Sequence, residues 1–384
     1  MYFEFSTAGR ILFGRGTVEQ VPAAAAGAGR VALLVTGRGA VRAAQLVERL
    51  RAAGVAVVPH RVDGEPTLAA VVAGAALARF ERCALVIGFG GGSALDAAKA
   101  IAAAATNTGD FAEHLEVVGR AAPLAHDPLP WIAVPTTAGT GAEVTRNAVL
   151  SVPAHRVKVS LRDPRLYARL AVVDPALTLG VPPAVTAATG LDALTQLIEP
   201  FVSARANPLT DGLCREGLQR SARSLRRAHA RGDDLAARED LALASLLGGL
   251  ALANAGLGAV HGLAAPLGGE LGAPHGAICA ALLPHVMEVN VRALRARAPD
   301  AESLARYGEV GRILCGSPSA GAAEAVAWVR ETCVALDVPG LRAHGLAAGQ
   351  VPGLVEKARG ASSMKGNPVE LAAPELAEIL ERAM

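Results

Sequence analysis

The sequence predicts an α/β domain with a parallel sheet over residues 1–180, followed by an all-α domain over residues 181–384. Up to about residue 180, short apolar or β-branched runs alternate with alanine-rich stretches that have a helical pattern. Beyond that point the strand-like runs stop and only helical stretches follow. Alternating strands and helices are typical of a parallel sheet covered on both faces. A chain of 384 residues is long enough for two domains with separate cores.

Four runs predict strands of the first domain, at 31–36, 55–60, 83–89 and 131–137. Each of the first three precedes an alanine-rich helical stretch, and the fourth follows a proline-containing loop. In the second domain the pattern predicts helices over 184–200, 207–227, 234–253, 275–294, 301–314, 318–336 and 371–383.

The composition excludes several classes of protein. Hydrophobic residues make up 52% of the chain but aromatic residues only 3%, so the core must consist of Ala, Val and Leu. The net charge is +2 with no basic cluster, which argues against nucleic-acid and membrane-surface partners. Five cysteines without a C-x-x-C pair indicate buried thiols in a reducing compartment, not disulfides or a thiolate metal site. The first residues, with Glu4 and Arg10, do not resemble a signal peptide, so we expect a cytoplasmic protein.

One segment, 241–269, contains no formally charged residue and is long enough to cross a bilayer. It is mostly small residues, however, and includes Asn254, His261 and Pro266. We therefore expect this segment to form a helix of small residues that packs inside the helical domain, not a transmembrane segment.

Three glycine-bearing turns follow predicted strands, where an open α/β sheet binds its ligand. They are TGRG (36–39), GFGGGSALDAAK (88–99) and PTTAGTGAEVT (135–145). Glycines let a phosphate approach the backbone, and a helix start supplies N–H donors and the positive end of the helix dipole. The second turn has Ser93 where G-x-G-x-x-G requires its last glycine, so from the residues alone a plain tight turn is as good an interpretation as a phosphate site. The third turn offers four threonine hydroxyls, which suit a ligand with many oxygens, although small residues are also common in ordinary turns.

The helical domain carries a candidate metal-binding set. Asp192 lies near a predicted helix start with Gln196 four residues further on the same face, and His261 and His275 lie in an apolar region. A histidine in such a region is also commonly held by backbone carbonyl groups, and Asp192 can serve simply as an N-terminal helix charge. A carboxylate and two imidazoles suit Zn²⁺ or Fe²⁺ and leave room for a substrate oxygen.

Four motifs in this order, GGGSALDAAK, PTTAGTGAEVT, DALTQLIE and HGLAAPLGGELGAPHG, resemble the iron-containing (group III) alcohol dehydrogenase family. The resemblance extends from about residue 3 to the last helix. It implies the two-domain fold of dehydroquinate synthase and glycerol dehydrogenase, with a Rossmann-like domain that binds NAD(P) and a helical domain that holds a divalent metal. It also implies a homodimer or a larger homo-oligomer.

The resemblance assigns site residues by position. The family's pyrophosphate loop matches Gly91, Gly92 and Ser93, with Asp96 just behind it. Its cofactor-contacting threonines match Thr136 and Thr137, and a lysine near the nicotinamide ribose matches Lys158. Three of its metal ligands match Asp192, His261 and His275.

Two positions depart from the family pattern. The family usually has a fourth ligand His where this chain has Gln196, and a His for proton relay where it has Ala265. An amide oxygen is a weak substitute for imidazole on Fe²⁺ or Zn²⁺. Related glycerol dehydrogenases bind their metal with an Asp and two His, and maleylacetate reductases use no metal. The sequence is therefore compatible with Zn²⁺, with Fe²⁺ and with a metal-free site. If a metal binds, Gln196 is an optional fourth ligand.

One further position indicates whether the cofactor is NAD or NADP. Relatives that prefer NAD often end the first nucleotide-fold strand in an Asp, which binds the adenosine ribose and repels a 2′-phosphate. Here Gly37 stands at that place and Arg38 follows it, which favours NADP(H), with NAD(H) still accepted.

Together these features predict an NAD(P)-dependent oxidoreductase that interconverts a small alcohol and its aldehyde or ketone, with a metal as Lewis acid. The alternatives are a metal-independent reductase of the maleylacetate type, a dehydroquinate-synthase-like lyase, and a homologue that binds nucleotide without turnover. A reductase of the maleylacetate type would need cationic groups to bind the carboxylates of its substrate, and none stands out near the motifs. The complete PTTAGTGAEVT block favours a dehydrogenase over a lyase, and the retained Asp192, His261 and His275 weigh against a protein without activity.

Overall fold

The computed structural model describes residues 2–155 and 157–384 and divides into two compact units. The first unit comprises Ser6–Thr137 and Gly141–Thr178 and contains all the strands of the described chain. The second comprises Leu179–Met384 together with Ala138–Thr140 and a short amino-terminal segment, and it is helical.

The α/β unit is built on a six-stranded parallel sheet with the order β1-β8-β5-β4-β2-β3 and carries a separate antiparallel hairpin of β6 and β7. Its strands are β1 (Ile11–Phe13), β2 (Val31–Thr36), β3 (Ala56–Arg61), β4 (Leu85–Gly90), β5 (Trp131–Pro135), β6 (Asn147–Val152), β7 (Val157–Arg162) and β8 (Leu170–Val173). Its α-helices are α1 (Val21–Ala26), α2 (Ala44–Ala52), α3 (Leu68–Phe80) and α4 (Gly92–Thr106).

The two faces of the sheet are packed differently. On one face, alternate residues of β2, β4, β5 and β8 form a core with apolar side chains of α1 and α2, such as Leu46 and Leu50. The other face receives α4, whose buried residues are mostly alanine. A Cβ on Gly88 would lie 2.8 Å from the Cβ of Ala98, so a glycine in the strand and an alanine in the helix are what let α4 approach β4 closely. The predicted alanine-rich core is therefore used for close helix–sheet contact.

The helical unit contains nine α-helices within the described residues. They are α5 (Pro183–Val202), α6 (Pro208–Ala230), α7 (Leu235–Ala255), α8 (Ala259–Leu271), α9 (His275–Arg297), α10 (Glu302–Cys315), α11 (Ala322–Ala335), α12 (Val351–Arg359) and α13 (Ala373–Arg382). The seven helices predicted in this region are present, and α8 and α12 are additional. The prediction of an α/β domain with a parallel sheet followed by an all-α domain is confirmed.

The uncharged stretch 241–269 does not form one straight helix. It spans α7 and α8, which pass a length-and-hydropathy test for a membrane span only as a pair bent by 99°. Among the described residues α9 also passes that test by itself, and 78% of the tested window is buried inside the protein.

Candidate active site

The predicted pyrophosphate loop lies between β4 and α4. Gly91 is the N-cap residue of α4, and Gly92 and Ser93 form its first turn, whose backbone N–H groups have no partner within a helix. A Cβ on Gly91 would lie 3.1 Å from the Oγ1 atom of Thr137, so this glycine allows the loops after β4 and β5 to come together. The backbone N–H of Thr136 donates to the carbonyl of Gly90 at 2.9 Å. The arrangement brings five of the predicted cofactor-binding residues to one edge of the sheet.

Asp96 and Lys99 hold this edge together. Lys99 was not among the residues predicted from the sequence. The Nζ atom of Lys99 is fully buried and donates to the carbonyls of Ala142 and Asn147 at 2.9 and 2.6 Å and to the Oγ1 atom of Thr145 at 3.0 Å. Asp96 accepts the backbone N–H of Val149 at 3.1 Å. Burial lowers the pKa of Lys99 to about 8, against the opposing effect of Asp96. Asp96 and Lys99 thus connect α4 to the threonine-rich turn and to β6, which follows it.

Three other predicted residues, Gly37, Arg38 and Lys158, lie in separate parts of the α/β unit. Arg38 is exposed at the end of β2, and a Cβ on Gly64 would lie 3.9 Å from its Nη2 atom. Gly37 has open space around it, since a Cβ there would meet no atom within 4 Å. Lys158 lies on β7 of the hairpin and its Nζ atom is 3.2 Å from the Oε1 atom of Glu65.

The predicted metal-binding residues converge inside the helical unit. Asp192 lies in the middle of α5, so the expectation that it stands near a helix start is wrong, because the helix already begins at Pro183. His261 lies on α8, and His275 is the first residue of α9 after Pro274. The Oδ1 atom of Asp192 is 3.4 Å from the Nε2 atom of His261 and 3.8 Å from the Nε2 atom of His275. A Cβ on Gly276 would lie 2.6 Å from the carbonyl oxygen of Ala188, so this glycine is what lets the start of α9 approach α5.

A fourth donor in the cluster was missed by the sequence analysis. Cys279 lies one turn after His275 on α9, and its Sγ atom is 3.6 Å from the Nε2 atom of His275. Ligand atoms of Asp192, His261, His275 and Cys279 all lie within 4.8 Å of one another. Cys279 is buried, as expected of the cysteines, but it lies beside the predicted metal ligands, because a thiol four residues after a histidine shares its face of the helix.

The cluster fits a divalent cation. Both carboxylate oxygens of Asp192 and the Nε2 atom of His261 are buried and have no hydrogen-bond partner within the described chain. A buried carboxylate without hydrogen bonds is costly unless a cation lies beside it. Burial opposes ionisation of Asp192, but His275 and His261 outweigh burial and lower the pKa of the carboxyl. The same surroundings raise the pKa of His275 to about 9, against burial and chiefly through Cys279 and Asp192. The cluster thus favours positive charge at its centre.

Glu199 orients His261. It lies seven residues after Asp192 on α5, and its Oε2 atom is 2.7 Å from the Nδ1 atom of His261. Its other oxygen accepts the backbone N–H of Val260 at 2.7 Å. Because Nδ1 carries the proton that Glu199 accepts, the Nε2 atom presents a lone pair to the cluster.

We expect Glu199→Gln to weaken metal binding about tenfold, at the lower end of the roughly 10–100-fold loss that follows removal of an orienting partner, because the amide oxygen still accepts from Nδ1. Competition with a chromophoric chelator measures the affinity of the purified protein. A matched control is Glu375→Gln, which removes an exposed ion pair with Arg297 in the same unit and should leave metal affinity unchanged. An unchanged affinity in Glu199→Gln would contradict the orienting role.

The two positions that depart from the family pattern also lie in this region. Gln196 is buried one turn after Asp192, and its Oε1 atom has no hydrogen-bond partner among the described residues. Ala265 lies one turn after His261 on α8 and is half-buried.

Comparison with known proteins agrees with this geometry. Residues 8–175 match the model of the iron-containing alcohol dehydrogenases, and residues 186–384 match that of the carboxyl-terminal part of the same family. The chain belongs to the iron-containing alcohol dehydrogenase family. It is 37% identical over 364 residues to 1,3-propanediol dehydrogenase from Klebsiella pneumoniae, covering 92% of each chain. A solved structure of a 1,3-propanediol oxidoreductase superposes with a TM-score of 0.91 at 33% identity, with each chain covered completely. Sulfoacetaldehyde reductase from Bifidobacterium kashiwanohense, solved with NAD⁺, superposes with a TM-score of 0.87 at 28% identity, covering 99% of this chain and 98% of that chain.

Membership establishes the activity class. This iron-containing alcohol dehydrogenase family member is an NAD(P)-dependent oxidoreductase that interconverts an alcohol and its aldehyde or ketone. The family implies a nicotinamide cofactor together with a metal. The resemblance stated from the four motifs is confirmed, and the predicted oxidoreductase function with it.

Proposed function

We propose that the alcohol dehydrogenase activity of this chain acts on a small alcohol through a divalent metal held by Asp192, His261 and His275. The observation that carries the proposal is the buried Asp192 carboxylate, which makes no hydrogen bond and whose Oδ1 atom lies 3.4 Å and 3.8 Å from the Nε2 atoms of His261 and His275. When bound, the metal stabilises negative charge on the alcohol oxygen and the nicotinamide cofactor donates or accepts the hydride. Zn²⁺ is at least as good a candidate as Fe²⁺.

The residues of the chain have distinct tasks in this proposal. Glu199 fixes the tautomer and the ring orientation of His261, and Gly276 sets how closely His275 approaches Asp192. The first-turn amides at Gly92 and Ser93 provide donors for the pyrophosphate. Lys158 is the proposed contact to the nicotinamide ribose.

Further parts of the proposal concern organisation. We propose that residues 1–180 bind the cofactor and residues 181–384 bind the metal and substrate, and the two family matches, which leave only 176–185 between them, support this division. We also propose a homodimer or larger homo-oligomer in the cytoplasm. Five free cysteines support a reducing compartment.

A direct assay tests the proposed function. Oxidation of NADH and NADPH is followed with a panel of small aldehydes before chelation, after chelation and after Zn²⁺ or Fe²⁺ is returned. We expect chelation to abolish turnover and one of the two ions to restore it. Turnover that chelation leaves untouched would support the metal-independent reductase of the maleylacetate type instead.

The residue at position 265 bears on the route by which the proton of the reaction leaves or enters the site. Since the chain has Ala265 where relatives carry an imidazole one turn after His261, the proton must pass through water or the cofactor ribose. We expect Ala265→His to add a group that titrates near pH ~6.5 to the profile of kcat/KM. Oxidation of the alcohol needs a proton acceptor and should rise as pH passes upward through this pKa, whereas aldehyde reduction should fall. Ala265→Asn, with a side chain of similar reach that does not titrate, is the matched control, and identical profiles for the two variants would contradict the prediction.

A further inference from the structure

The candidate metal site has a donor that the family pattern does not supply. Relatives with four protein ligands use one carboxylate and three imidazoles, and this chain has Gln196 at the position of the third imidazole. The thiol of Cys279 approaches the same cluster from α9 and is fully buried. Four donor groups are therefore present in one place, namely one carboxylate, two imidazoles and one thiol.

Three of the separations among these atoms lie close to those expected for ligands of one tetrahedral ion, and all of them are within 4.8 Å. Metal–ligand distances of about 2.0–2.1 Å for nitrogen and oxygen and about 2.3 Å for sulfur place neighbouring ligand atoms roughly 3.3–3.6 Å apart. The separations in the cluster are 3.4 Å from Asp192 to His261, 3.8 Å from Asp192 to His275 and 3.6 Å from His275 to Cys279. A shared cation would account both for these separations and for the buried carboxylate that makes no hydrogen bond.

Charge and donor strength favour the thiol over the amide. An aspartate and a thiolate together neutralise a divalent ion, which reduces the cost of burying it. The amide oxygen of Gln196 carries no charge and is a weaker donor to Zn²⁺. Binding of the ion releases the thiol proton to solvent as the sulfur–metal bond forms.

We propose that Cys279 is the fourth protein ligand of the metal, as a thiolate beside Asp192, His261 and His275. This inference rests on the proposed metal site and assigns Gln196 a place outside the donor set. A thiolate makes the set softer than one carboxylate with three imidazoles, and it shifts the preference of the site from Fe²⁺ towards Zn²⁺ and Co²⁺. With four protein donors, a substrate oxygen would have to add to the metal as a fifth ligand.

Spectroscopy of the full-length wild type tests the proposal without reference to activity. The chelator-treated protein is titrated with Co²⁺, and we expect one equivalent to bind with the intense visible bands of tetrahedral cobalt and a sulfur-to-cobalt charge-transfer band in the near ultraviolet. X-ray absorption of the Zn²⁺-loaded wild type should show one sulfur neighbour at about 2.3 Å.

Variants sharpen the assignment. Cys279→Ser should remove the charge-transfer band and weaken Co²⁺ binding at least about tenfold, because loss of a direct ligand costs no less than loss of an orienting partner. The matched control is Cys214→Ser, since Cys214 is an equally buried thiol on α6 in the same unit but outside the cluster. It should keep both the band and the affinity.

The outcomes separate this inference from the proposed function. One bound equivalent of metal with no sulfur neighbour in the wild type would overturn the role of Cys279 and leave the metal-assisted function standing. A wild type that binds neither Co²⁺ nor Zn²⁺ would overturn both. The wild-type measurements decide the question even if Cys279→Ser does not fold.

Discussion

Replacing Asp192 with Asn should remove the bound metal and lower kcat/KM by at least about 10³-fold. Asn has nearly the same shape, but it withdraws the negative charge that opposes the ion. A Lewis acid supplies several kcal/mol of charge stabilisation in the transition state, and each ~1.4 kcal/mol corresponds to a factor of ten in rate. Elemental analysis of protein purified without chelator measures the metal, and steady-state assays with the aldehyde panel measure the rate.

The control for this prediction is a second buried carboxylate in the same unit. Asp211 lies on α6, outside the cluster, and is paired with Arg306 at 2.6 Å. Asp211→Asn should lower the melting temperature, because it weakens a buried ion pair, yet keep its metal and its kcat/KM. If Asp192→Asn retained metal and activity, Asp192 would be a structural carboxylate. If both variants lost activity together with stability, the effect on Asp192 would be one of folding.

The central strands of the α/β unit could be predicted from the sequence because their buried runs are short and continuous. The run at 31–36 and the strand Val31–Thr36 coincide, and the run at 131–137 became a strand up to Pro135 with two threonines in the following turn. The hairpin of β6 and β7 was not predicted. In Asn147–Val152 every second residue is buried, and the polar Asn147 and Ser151 fall on the other face. This period of two is a signal that the sequence offered. The strand β1 has only three residues and gives no such signal.

The helix α8 was missed for a physical reason. Pro266 lies inside it and the flanking glycines at 256 and 258 resemble turn signals, so the local pattern suggests a loop. Packing overrides that preference, since Val260, Leu263 and Leu267 are fully buried. The helix matters for function because it carries His261 into the cluster.

The ligand triad came from a resemblance, whereas its surroundings depend on helix register. Glu199 follows Asp192 by seven residues and Cys279 follows His275 by four, which places each pair on one face of its helix. These intervals were available in the sequence. The contacts of Lys99 with Ala142, Thr145 and Asn147 were not, because they join segments more than 40 residues apart and only the folded chain brings them together.

We expect this alcohol dehydrogenase to prefer NADPH, and we expect Gly37→Asp to lower the ratio of kcat/KM for NADPH to that for NADH about 10- to 100-fold. The position has room for a side chain, because a Cβ on Gly37 meets no atom within 4 Å. A carboxylate at the end of β2 would accept hydrogen bonds from the adenosine ribose and repel a 2′-phosphate. In the wild type, Arg38 is exposed, and no hydrogen bond or ion pair holds its guanidinium among the described residues. A charge-assisted contact is worth roughly 1.5–3 kcal/mol, which gives the expected factor.

The ratio of kcat/KM for NADPH and NADH, measured in the wild type and in three variants, tests this prediction because it cancels changes that affect both cofactors equally. Arg38→Gln should lower the ratio by slowing NADPH turnover alone, whereas Gly37→Asp should also improve the use of NADH. Arg42→Gln is the matched control, because the guanidinium of Arg42 already donates to the carbonyl of Leu177 in the same unit, so its loss should leave the ratio unchanged. A wild type that prefers NADH, or a ratio that none of the substitutions moves, would show that the open end of β2 does not select the cofactor and that the selection lies in another loop.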